Sequence, residues 1–303
     1  MKLIKPSYEI FEQGFEEQDI YKQIEKVGRT CYKSEDKITE KSAKPFVDRM
    51  IASKHYAMLE HGTVYLSIPC CVMYSDYGDI QYPCEYIKYE ENPYSKVTLK
   101  VKRWAHDGFA CVTTNLRVLL ENDWMDDLQY ICEPTEYHEK RITVNFICDR
   151  GVSHEFVRHR VFSFAQESTR YCNYSKDKFN NEITFIMPCW MDEEELASYG
   201  TYHTVCRSKT PESIFIASLN NAEQDYKSLI DMGWKPQQAR AILPNALKTE
   251  LVMTGFVSDW KHFFDLRAYG VTGKPHPQAS ELAIPLLDEF IEKGYLHGSE
   301  RTN

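Results

Sequence analysis

Helix-type and strand-type patterns alternate along the chain, and this alternation limits the possible folds more than any other feature of the sequence. Apolar residues recur at helical spacing over 20–32 and 43–53. Short runs rich in β-forming residues lie at 64–68, 141–147 and 251–254. No repeat and no Gly/Ser-rich linker separates these segments. The sequence therefore predicts one α+β domain.

Capping residues mark the helix ends in the C-terminal third. Thr210 is placed to cap a helix that has Pro211 at its first position and stops before Gly233. Ser258 is placed to cap another helix. The last helix is expected to end at Gly294, because glycine readily takes the left-handed conformation that follows a helix. The predicted helices are 212–232, 236–243, 259–266 and 280–292.

The segment from 70 to about 111 shows no sustained period. Pro69 is expected to end the strand before it. Tyrosines stand among acidic residues in this segment, at Tyr74, Tyr77, Tyr82, Tyr86, Tyr89 and Tyr94. We interpret it as an insertion with weak local structure within a single domain of residues 1–303, forming a surface feature or a subunit contact.

Composition and charge restrict the function. The chain has 36 Lys and Arg against 45 Asp and Glu, a net charge of −9, which disfavours general nucleic-acid binding because duplex binding needs a basic field. No stretch approaches the ~18 apolar residues that cross a bilayer, and the first residues lack a hydrophobic signal core. Ten cysteines without a Cys-x-x-Cys pair indicate reduced thiols. We therefore expect a cytoplasmic protein with no metal site, no membrane span and no nucleic-acid partner.

The most informative run lies between Arg158 and Tyr171, after a short helix that we expect to follow Gly151. It holds three arginines, one histidine and two serines within an acidic chain. Arginine binds phosphate bidentately and serine adds a neutral donor, so this run favours a phosphorylated small molecule as ligand. The alternative is a salt-bridged surface helix, which the run disfavours because Glu167 is its only acid.

The order of these residues resembles a known signature. Arg158-His159-Arg160, seven residues, Ser168 and then Arg170-Tyr171 match the Arg-His-Arg-(seven)-Ser signature of the flavin-dependent thymidylate synthases, the ThyX family. Shorter segments resemble other family elements in the same chain order. These are Glu60-His61-Gly62-Thr63, Arg240 with Leu243-Pro244, and Phe264-Asp265-Leu266-Arg267 followed by His276 and Gln278. The resemblance covers nearly all of the chain except about 70–111 and the last few residues.

The resemblance implies a fold, a reaction and an assembly. It implies a ThyX-like α+β domain with a central, mostly antiparallel sheet flanked by helices. This domain would methylate dUMP to dTMP, with methylenetetrahydrofolate as carbon donor and FADH2 as hydride donor. NADPH would recharge the flavin, FAD. The active sites would be shared between the subunits of a homotetramer.

The resemblance also implies roles for individual residues. The FAD contacts would be His61, Thr63, Arg158, His159, Arg160, Gln166, Ser258 and His262. The dUMP contacts would be Glu155, Arg158, Gln166, Ser168, Arg170, Arg240 and Arg267. Arg240 and Arg267 would reach the nucleotide from a neighbouring subunit, and Arg267, touching the uracil, would be the catalytic residue. Two departures from the family pattern are Phe256, where relatives can have an asparagine, and a longer spacer before His276.

The chemistry of these residues agrees with such roles. FAD carries two phosphate charges and dUMP nearly two more, so several fixed cations are needed to bring them together. An arginine at the pyrimidine edge stabilises negative charge on the ring, while the flavin supplies the redox chemistry. A cysteine nucleophile is the alternative mechanism, and Cys172 is the thiol closest in sequence to the arginine run. Two other functions stay open, an RNA-binding protein and a flavin enzyme that modifies another pyrimidine.

Overall fold

The computed structural model describes residues 1–74, 80–83, 88–101, 107–176, 179, 181–191 and 210–297. Its strands are β1 (Lys2–Ile4), β2 (Ser7–Phe11), β3 (Thr63–Tyr74), β4 (Ile80–Pro83), β5 (Lys96–Val101), β6 (Asp107–Asn115), β7 (Arg141–Asp149), β8 (Ser163–Gln166), β9 (Thr184–Ile186) and β10 (Lys248–Phe256). Its helices are α1 (Glu17–Tyr32), α2 (Ala43–Ala52), α3 (Leu116–Glu121), α4 (Arg150–Phe156), α5 (Pro211–Asp231), α6 (Pro236–Ala239), α7 (Val257–Phe264) and α8 (Pro277–Glu292). Three-residue and six-residue 3₁₀ turns and one π-helical turn, Asp265–Tyr269, connect them.

Two antiparallel sheets organise the fold. The central sheet has the strand order β2-β7-β10-β8, and the second sheet has the order β4-β3-β6-β5. A short parallel pair, β1 with β9, lies outside both. The predicted α+β class with a mostly antiparallel sheet is confirmed, and the second sheet is an addition that the sequence analysis did not anticipate.

The central sheet holds the Arg-His-Arg run in place. Strands β7 and β10 pair along all nine residues, and β8 pairs with the middle of β10. The run lies between α4 and β8, where two buried aromatic side chains, Phe156 and Phe162, flank it. Both rings pack on Phe263, and Trp260 packs on Phe162 while donating to the Ile142 carbonyl at 3.1 Å. Burial of such rings stabilises a core by several kcal/mol each, so the loop is anchored at both ends.

A second core joins α1 and α2 to the second sheet. Ile20 and Ile24 of α1, Phe46 of α2, and Val64 of β3 are all buried in it. The two helices predicted from apolar spacing are thus confirmed. Their apolar faces cover the second sheet, which contains β3 and β6.

The interpretation of 70–111 as a segment of weak structure is wrong for the part that the structure describes. Strands β4 and β5 and the start of β6 lie in it; β4 and β6 pair with β3, and β5 pairs with β6. The signal was present in β5, where Val97 and Leu99 alternate with polar residues and pack on the second core. Tyr89 is buried and donates to Asp127 at 2.5 Å. Tyr77 and Tyr86 lie outside the described residues.

Pro69 does not end its strand, contrary to expectation. Strand β3 runs on to Tyr74, and Pro69 pairs in register with Phe109 of β6. The recorded pairing of β3 with β4 begins only at Val72. In the described sheet, Pro69 is paired on one side only, with β6. The N–H that proline lacks would lie on the unpaired side, so no hydrogen bond between strands is lost.

Two helix starts also differ from prediction. Helix α7 begins at Val257, and its cap is Asp259, whose Oδ2 accepts from the Phe256 N–H at 3.0 Å, instead of Ser258. Helix α4 begins at Arg150 because Asp149 accepts from the Val152 N–H at 2.7 Å, so Gly151 lies inside the helix.

The remaining helix predictions hold with small shifts. Thr210 caps α5 through the Ser213 N–H at 3.2 Å, as expected. The predicted helix 236–243 is the short α6 followed by a 3₁₀ turn, Arg240–Ile242. Helix α8 starts three residues before its predicted start. Within the described ranges, no helix is both long and apolar enough to cross a membrane.

Candidate functional site

A cleft of about 730 Å³ opens beside the Arg-His-Arg run. Its walls are the last turn of α4, the loop that follows, the end of α7, the π-helical turn and the loop before α8. The predicted site residues among its lining are Glu155, Arg158, His159, Arg160, His262 and Arg267, joined by Lys274 and His276. The structure therefore brings together six of the predicted residues within one chain.

The loop before α8 reaches the cleft because the chain reverses at Gly270. This glycine has φ +69°, and a Cβ there would lie 2.8 Å from Pro275 Cδ and 2.9 Å from the Gly273 carbonyl oxygen. Only glycine fits such a close approach in the left-handed region. The reversal places Lys274 and His276 opposite Arg158 on the cleft wall.

Arg267 is held rigidly at the inner wall of the cleft. Its Nη1 donates to Glu155 Oε2, its Nη2 donates to the Glu155 carbonyl at 2.9 Å, and its Nε donates to His159 Nε2 at 3.2 Å. A guanidinium whose three nitrogens all donate to fixed acceptors keeps one orientation. Its Glu155 contacts explain why an acid stands in an otherwise cationic site.

His159 is neutral in this arrangement. Burial lowers its pKa to about 4, and the neighbouring Arg267 guanidinium, the His262 ring and Arg158 lower it further. Since Arg267 Nε is a donor, His159 Nε2 must accept and its proton must lie on Nδ1. The ring also packs against Phe263, with centroids 5.1 Å apart. His159 is thus a fixed acceptor that orients Arg267.

Arg158 and Arg160 differ from Arg267 because both are exposed at the cleft. Neither guanidinium makes an ion pair with any acid in the described part of the chain. Two unpaired guanidinium groups beside Lys274 form a positive surface on a chain of net charge −9. Such a surface suits an anionic ligand, and phosphate in particular.

A second group of predicted residues lies outside the cleft lining. Arg170 Nε donates to Gln237 Oε1 at 3.3 Å, Arg240 Nη1 donates to Thr169 Oγ1 at 3.1 Å, and the Arg170 N–H donates to Ser168 Oγ at 3.3 Å. Ser168 and Arg170 lie in one loop, residues 168–171, which we call the 168–171 loop. Arg240 contacts this loop through Thr169. Arg240 contacts the loop of its own chain, and Arg267 lines the cleft of its own chain.

Charged residues beneath the 168–171 loop form a buried network. Lys248 Nζ donates to Glu167 Oε2 at 2.8 Å and to Glu250 Oε1 at 2.5 Å, and Lys33 Nζ donates to Glu250 Oε1 at 2.7 Å. Tyr174 donates to the other oxygen of Glu167 at 3.2 Å. Burial raises the pKa of Glu250, but Lys248 and Lys33 outweigh it and the pKa is lowered.

The sequence analysis missed this network. It started the last strand at 251, and so left out Lys248 and Glu250, which lie two residues apart and on the same face of β10. The available signal was this pair of opposite charges next to an apolar strand. Gln166, on β8, is also turned away from the cleft, since its Nε2 donates to Ser153 Oγ at 2.9 Å and Thr249 Oγ1 at 3.2 Å.

Besides Gln166, three further residues predicted to contact the flavin do not line the cleft of this chain. His61 is fully buried, with Nδ1 2.8 Å from Thr254 Oγ1, and burial together with Arg141 lowers its pKa to about 3. Thr63 lines a different, smaller cavity. Ser258 is exposed at the start of α7, where its N–H donates to Glu139 Oε1 at 2.9 Å.

Fold and cleft together define an α+β protein whose arginine-bearing cleft is suited to an anionic ligand. The sequence model of the thymidylate synthase complementing protein family, Thy1, matches residues 135–293, which include the cleft, the 168–171 loop and the central strands β7, β8 and β10. The chain belongs to this family, the flavin-dependent thymidylate synthases, and the resemblance seen in the sequence is confirmed. The segment Glu60–Thr63 lies outside the matched residues.

Individual relatives are similar at about the same level. The flavin-dependent thymidylate synthase of Pyrococcus furiosus is 30% identical over 146 residues, which are 48% of this chain and 52% of the relative. That of Corynebacterium aurimucosum is 30% identical over 145 residues, 48% of this chain and 55% of the relative. The chain spans about half the length of these curated relatives. A UMP/dUMP methylase structure, PolB from Streptomyces cacaoi bound with 5-Br dUMP, covers 96% of this chain and 93% of its own with 14% identity and a TM-score of 0.42, which is too low to support an argument.

Proposed function

We propose that this protein is a flavin-dependent thymidylate synthase that methylates dUMP to dTMP. Methylenetetrahydrofolate would donate the carbon, and FADH2, recharged by NADPH, would donate the hydride. The observation that supports this most strongly is the cleft, where the family's Arg-His-Arg run presents two unpaired guanidinium groups beside the fixed Arg267. Family membership and the named relatives support the same activity.

The residues present fit an anionic flavin cofactor. FAD carries a pyrophosphate, and Arg158 and Arg160 supply charges that no acid in the described residues neutralises. His262, next to His159 with ring centroids 6.1 Å apart, adds an aromatic surface on the same wall. When bound, the flavin supplies the hydride chemistry. These chain residues bind and orient it.

Arg267 is the residue that we assign to the uracil ring. A cation at the pyrimidine edge stabilises negative charge that develops on the ring when its C5 carbon attacks the methylene donor. That contribution depends on a preorganised charge, and the contacts with Glu155 and His159 provide it. Because His159 is neutral, the positive charge at its contact with Arg267 is that of the Arg267 guanidinium. No protein nucleophile is required in this scheme.

The 168–171 loop is the part that we assign to dUMP phosphate binding across a subunit boundary. Ser168, Arg170 and Arg240 carry the donors for a phosphate, but they lie outside the lining of their own chain's cleft. We therefore propose a homotetramer in which the loop of one subunit completes the cleft of another. The sequence-based assignment placed both Arg240 and Arg267 on the neighbouring subunit. In this proposal, Arg267 acts together with Arg158 of its own chain, and only Arg240 acts with the loop of the neighbouring subunit.

Mixing inactive variants tests this grouping. Arg158→Ala chains mixed with Arg240→Ala chains should regain part of the dTMP-forming activity, because a hybrid pair contains one site with both arginines. Arg158→Ala mixed with Arg267→Ala should regain none, because both residues line the same cleft. Activity restored in the second mixture and not in the first would overturn the grouping. Light scattering on the parent protein should give about four times 35.5 kDa.

The visible spectrum of the purified protein tests the flavin itself. A yellow protein that releases FAD on denaturation, and whose spectrum changes when dUMP is added, is the expected result. The double variant Arg158→Ala/Arg160→Ala should lose most of the bound FAD, whereas Arg49→Ala, the same type of substitution at one exposed arginine of α2, should keep it. A colourless parent protein that does not take up added FAD would contradict the proposal. Assays with UMP in place of dUMP separate it from a related pyrimidine methylase.

A further inference from the structure

A second, smaller cavity of about 100 Å³ lies between the two sheets, and it shares no lining residue with the cleft. Its walls come from the end of β2 and the residues after it, the start of β3 and the start of β7. Aromatic rings, including Phe15, Tyr65 and Tyr295, form much of the surface. Arg141, the first residue of β7, is at its base.

The guanidinium of Arg141 is buried and carries unused donors. The residue is 6% exposed, and its Nε has no acceptor among the described residues. Nη1 donates to the Glu60 carbonyl at 2.9 Å and approaches Thr63 Oγ1 at 3.5 Å, and Nη2 approaches Ser163 Oγ at 3.4 Å. All three acceptors are neutral, so none of them balances the charge. A buried charge without a counter-ion is strongly destabilising.

The acids around Arg141 are bound to other groups. Glu60 Oε1 pairs with Arg117 at 2.5 Å, and Asp259 caps α7. Glu12 lines the cavity, but it is 66% exposed and pairs with Lys293 at 3.0 Å. On another side the guanidinium stacks near the Phe256 ring, with 5.5 Å between Cζ and the ring centroid. No carboxylate of the described chain forms an ion pair with Arg141.

We propose that this cavity binds one small oxyanion, a phosphate or a carboxylate group, on Arg141. Arg141 lines this space, and a guanidinium holds two oxygens of one anion through a pair of N–H donors. Lys140 and the Thr63 hydroxyl line the same space and add a charge and a neutral donor. A volume of about 100 Å³ admits a group of a few heavy atoms. The bound anion supplies the missing counter-ion and stabilises the packing of the two sheets.

Anion-dependent thermal unfolding tests the proposal. The background is the variant Arg158→Ala/Arg160→Ala, because its cleft no longer offers those two guanidinium groups to the same anions. Replacing chloride by phosphate or by acetate at constant ionic strength should raise its Tm by roughly 2–4 °C for the anion that binds. A rise with phosphate alone identifies a tetrahedral anion, and a rise with acetate alone identifies a carboxylate. No rise with either anion would overturn the proposal.

Variants within the cavity locate the effect. Arg141→Met in that background should abolish the rise. Glu12→Gln should increase it, because it removes a negative charge from the cavity wall, and Glu9→Gln should leave it unchanged. Glu9 is a matched control, since it lies on β2, is 63% exposed and pairs with Lys26 of α1 at 3.1 Å without lining the cavity. Equal responses of the two glutamate variants would count against the assignment.

A crystallographic soak keeps the test independent of the folding of the Arg141 variant. Crystals of the parent protein soaked in selenate should show an anomalous peak within hydrogen-bond distance of the Arg141 guanidinium. A selenate peak at the cleft arginines without one beside Arg141 would show that the cavity does not bind the anion.

Discussion

The cleft and the network under the 168–171 loop contain the same types of charged residue in opposite situations. In the cleft, Arg158 and Arg160 are exposed and have no acidic partner in the described chain. In the network, Lys248 is partnered by both Glu167 and Glu250, and those two acids are 3% and 8% exposed. The difference teaches that unpaired exposed cations are available for a ligand, whereas paired buried charges hold the protein's own loop.

The two regions should therefore respond differently to mutation. Removing one member of a buried ion pair leaves its partner uncompensated and costs about 3–5 kcal/mol of stability. Removing an exposed arginine that has no partner changes stability by about 0.5 kcal/mol or less. The cleft variants should lose activity while remaining folded, and the network variants should lose stability first.

Lys248→Met should have the largest effect on stability. It leaves Glu167 without its cation and Glu250 with Lys33 alone, so the free energy of unfolding should fall by about 3–5 kcal/mol. Urea denaturation measures this. Lys44→Met, which breaks the exposed Lys44–Asp48 pair of α2, is the control and should cost less than about 1 kcal/mol. Similar losses in both variants would remove the distinction between the regions.

Arg267→Ala should have the largest effect on turnover. A charge that acts on the developing uracil anion contributes mainly in the transition state, and its loss typically lowers kcat by ~10²–10³. Flavin content should change little, whereas Tm should fall because Glu155 loses its ion-pair partner. Arg170→Ala should raise KM for dUMP more than it lowers kcat. The opposite pattern in these two variants would show that their roles are exchanged.

Acidification should destabilise the cleft wall through His159. The pKa of this histidine is about 4 in the folded chain, below its ordinary value of 6.5. The unfolded chain binds the proton first, so stability is fully present above pH 6.5 and falls between pH 6.5 and 4, by about 3 kcal/mol. Chemical denaturation of the parent and of His159→Gln across this range measures the effect. An unchanged slope in the variant would contradict the proposed environment of His159.

Cys172→Ala should have the smallest effect on chemistry. This thiol is 2% exposed and lies on the buried side of the 168–171 loop, with Tyr174. If the reacting groups are confined to the cleft, dUMP-dependent FADH2 oxidation should stay within about tenfold of the parent. The exposed Cys189→Ala is the matched control. A loss of several orders of magnitude in either variant, with FAD and dUMP still bound, would make a protein thiol the nucleophile.

Local features of the sequence determined a large part of this protein. The Arg158-His159-Arg160 run with Ser168 identified the family, and Thr210, Pro211 and Gly233 marked a helix that the structure contains. These signals are local because a cap or a signature motif depends on residues a few positions apart. Six predicted site residues meet in the cleft for the same reason, since most of them lie on one continuous loop and the helix end that packs on it.

Tertiary structure alone decided the partnerships between distant residues. Lys33 meets Glu250, and Arg267 meets Glu155, across more than a hundred positions. Sequence spacing cannot predict such pairs, because their distances follow from strand register and helix packing. The same is true of Arg141, which looks like an ordinary strand residue until the second sheet buries it without a counter-ion. Burial and charge pairing are properties of the packed chain, and they separate a binding charge from a structural one.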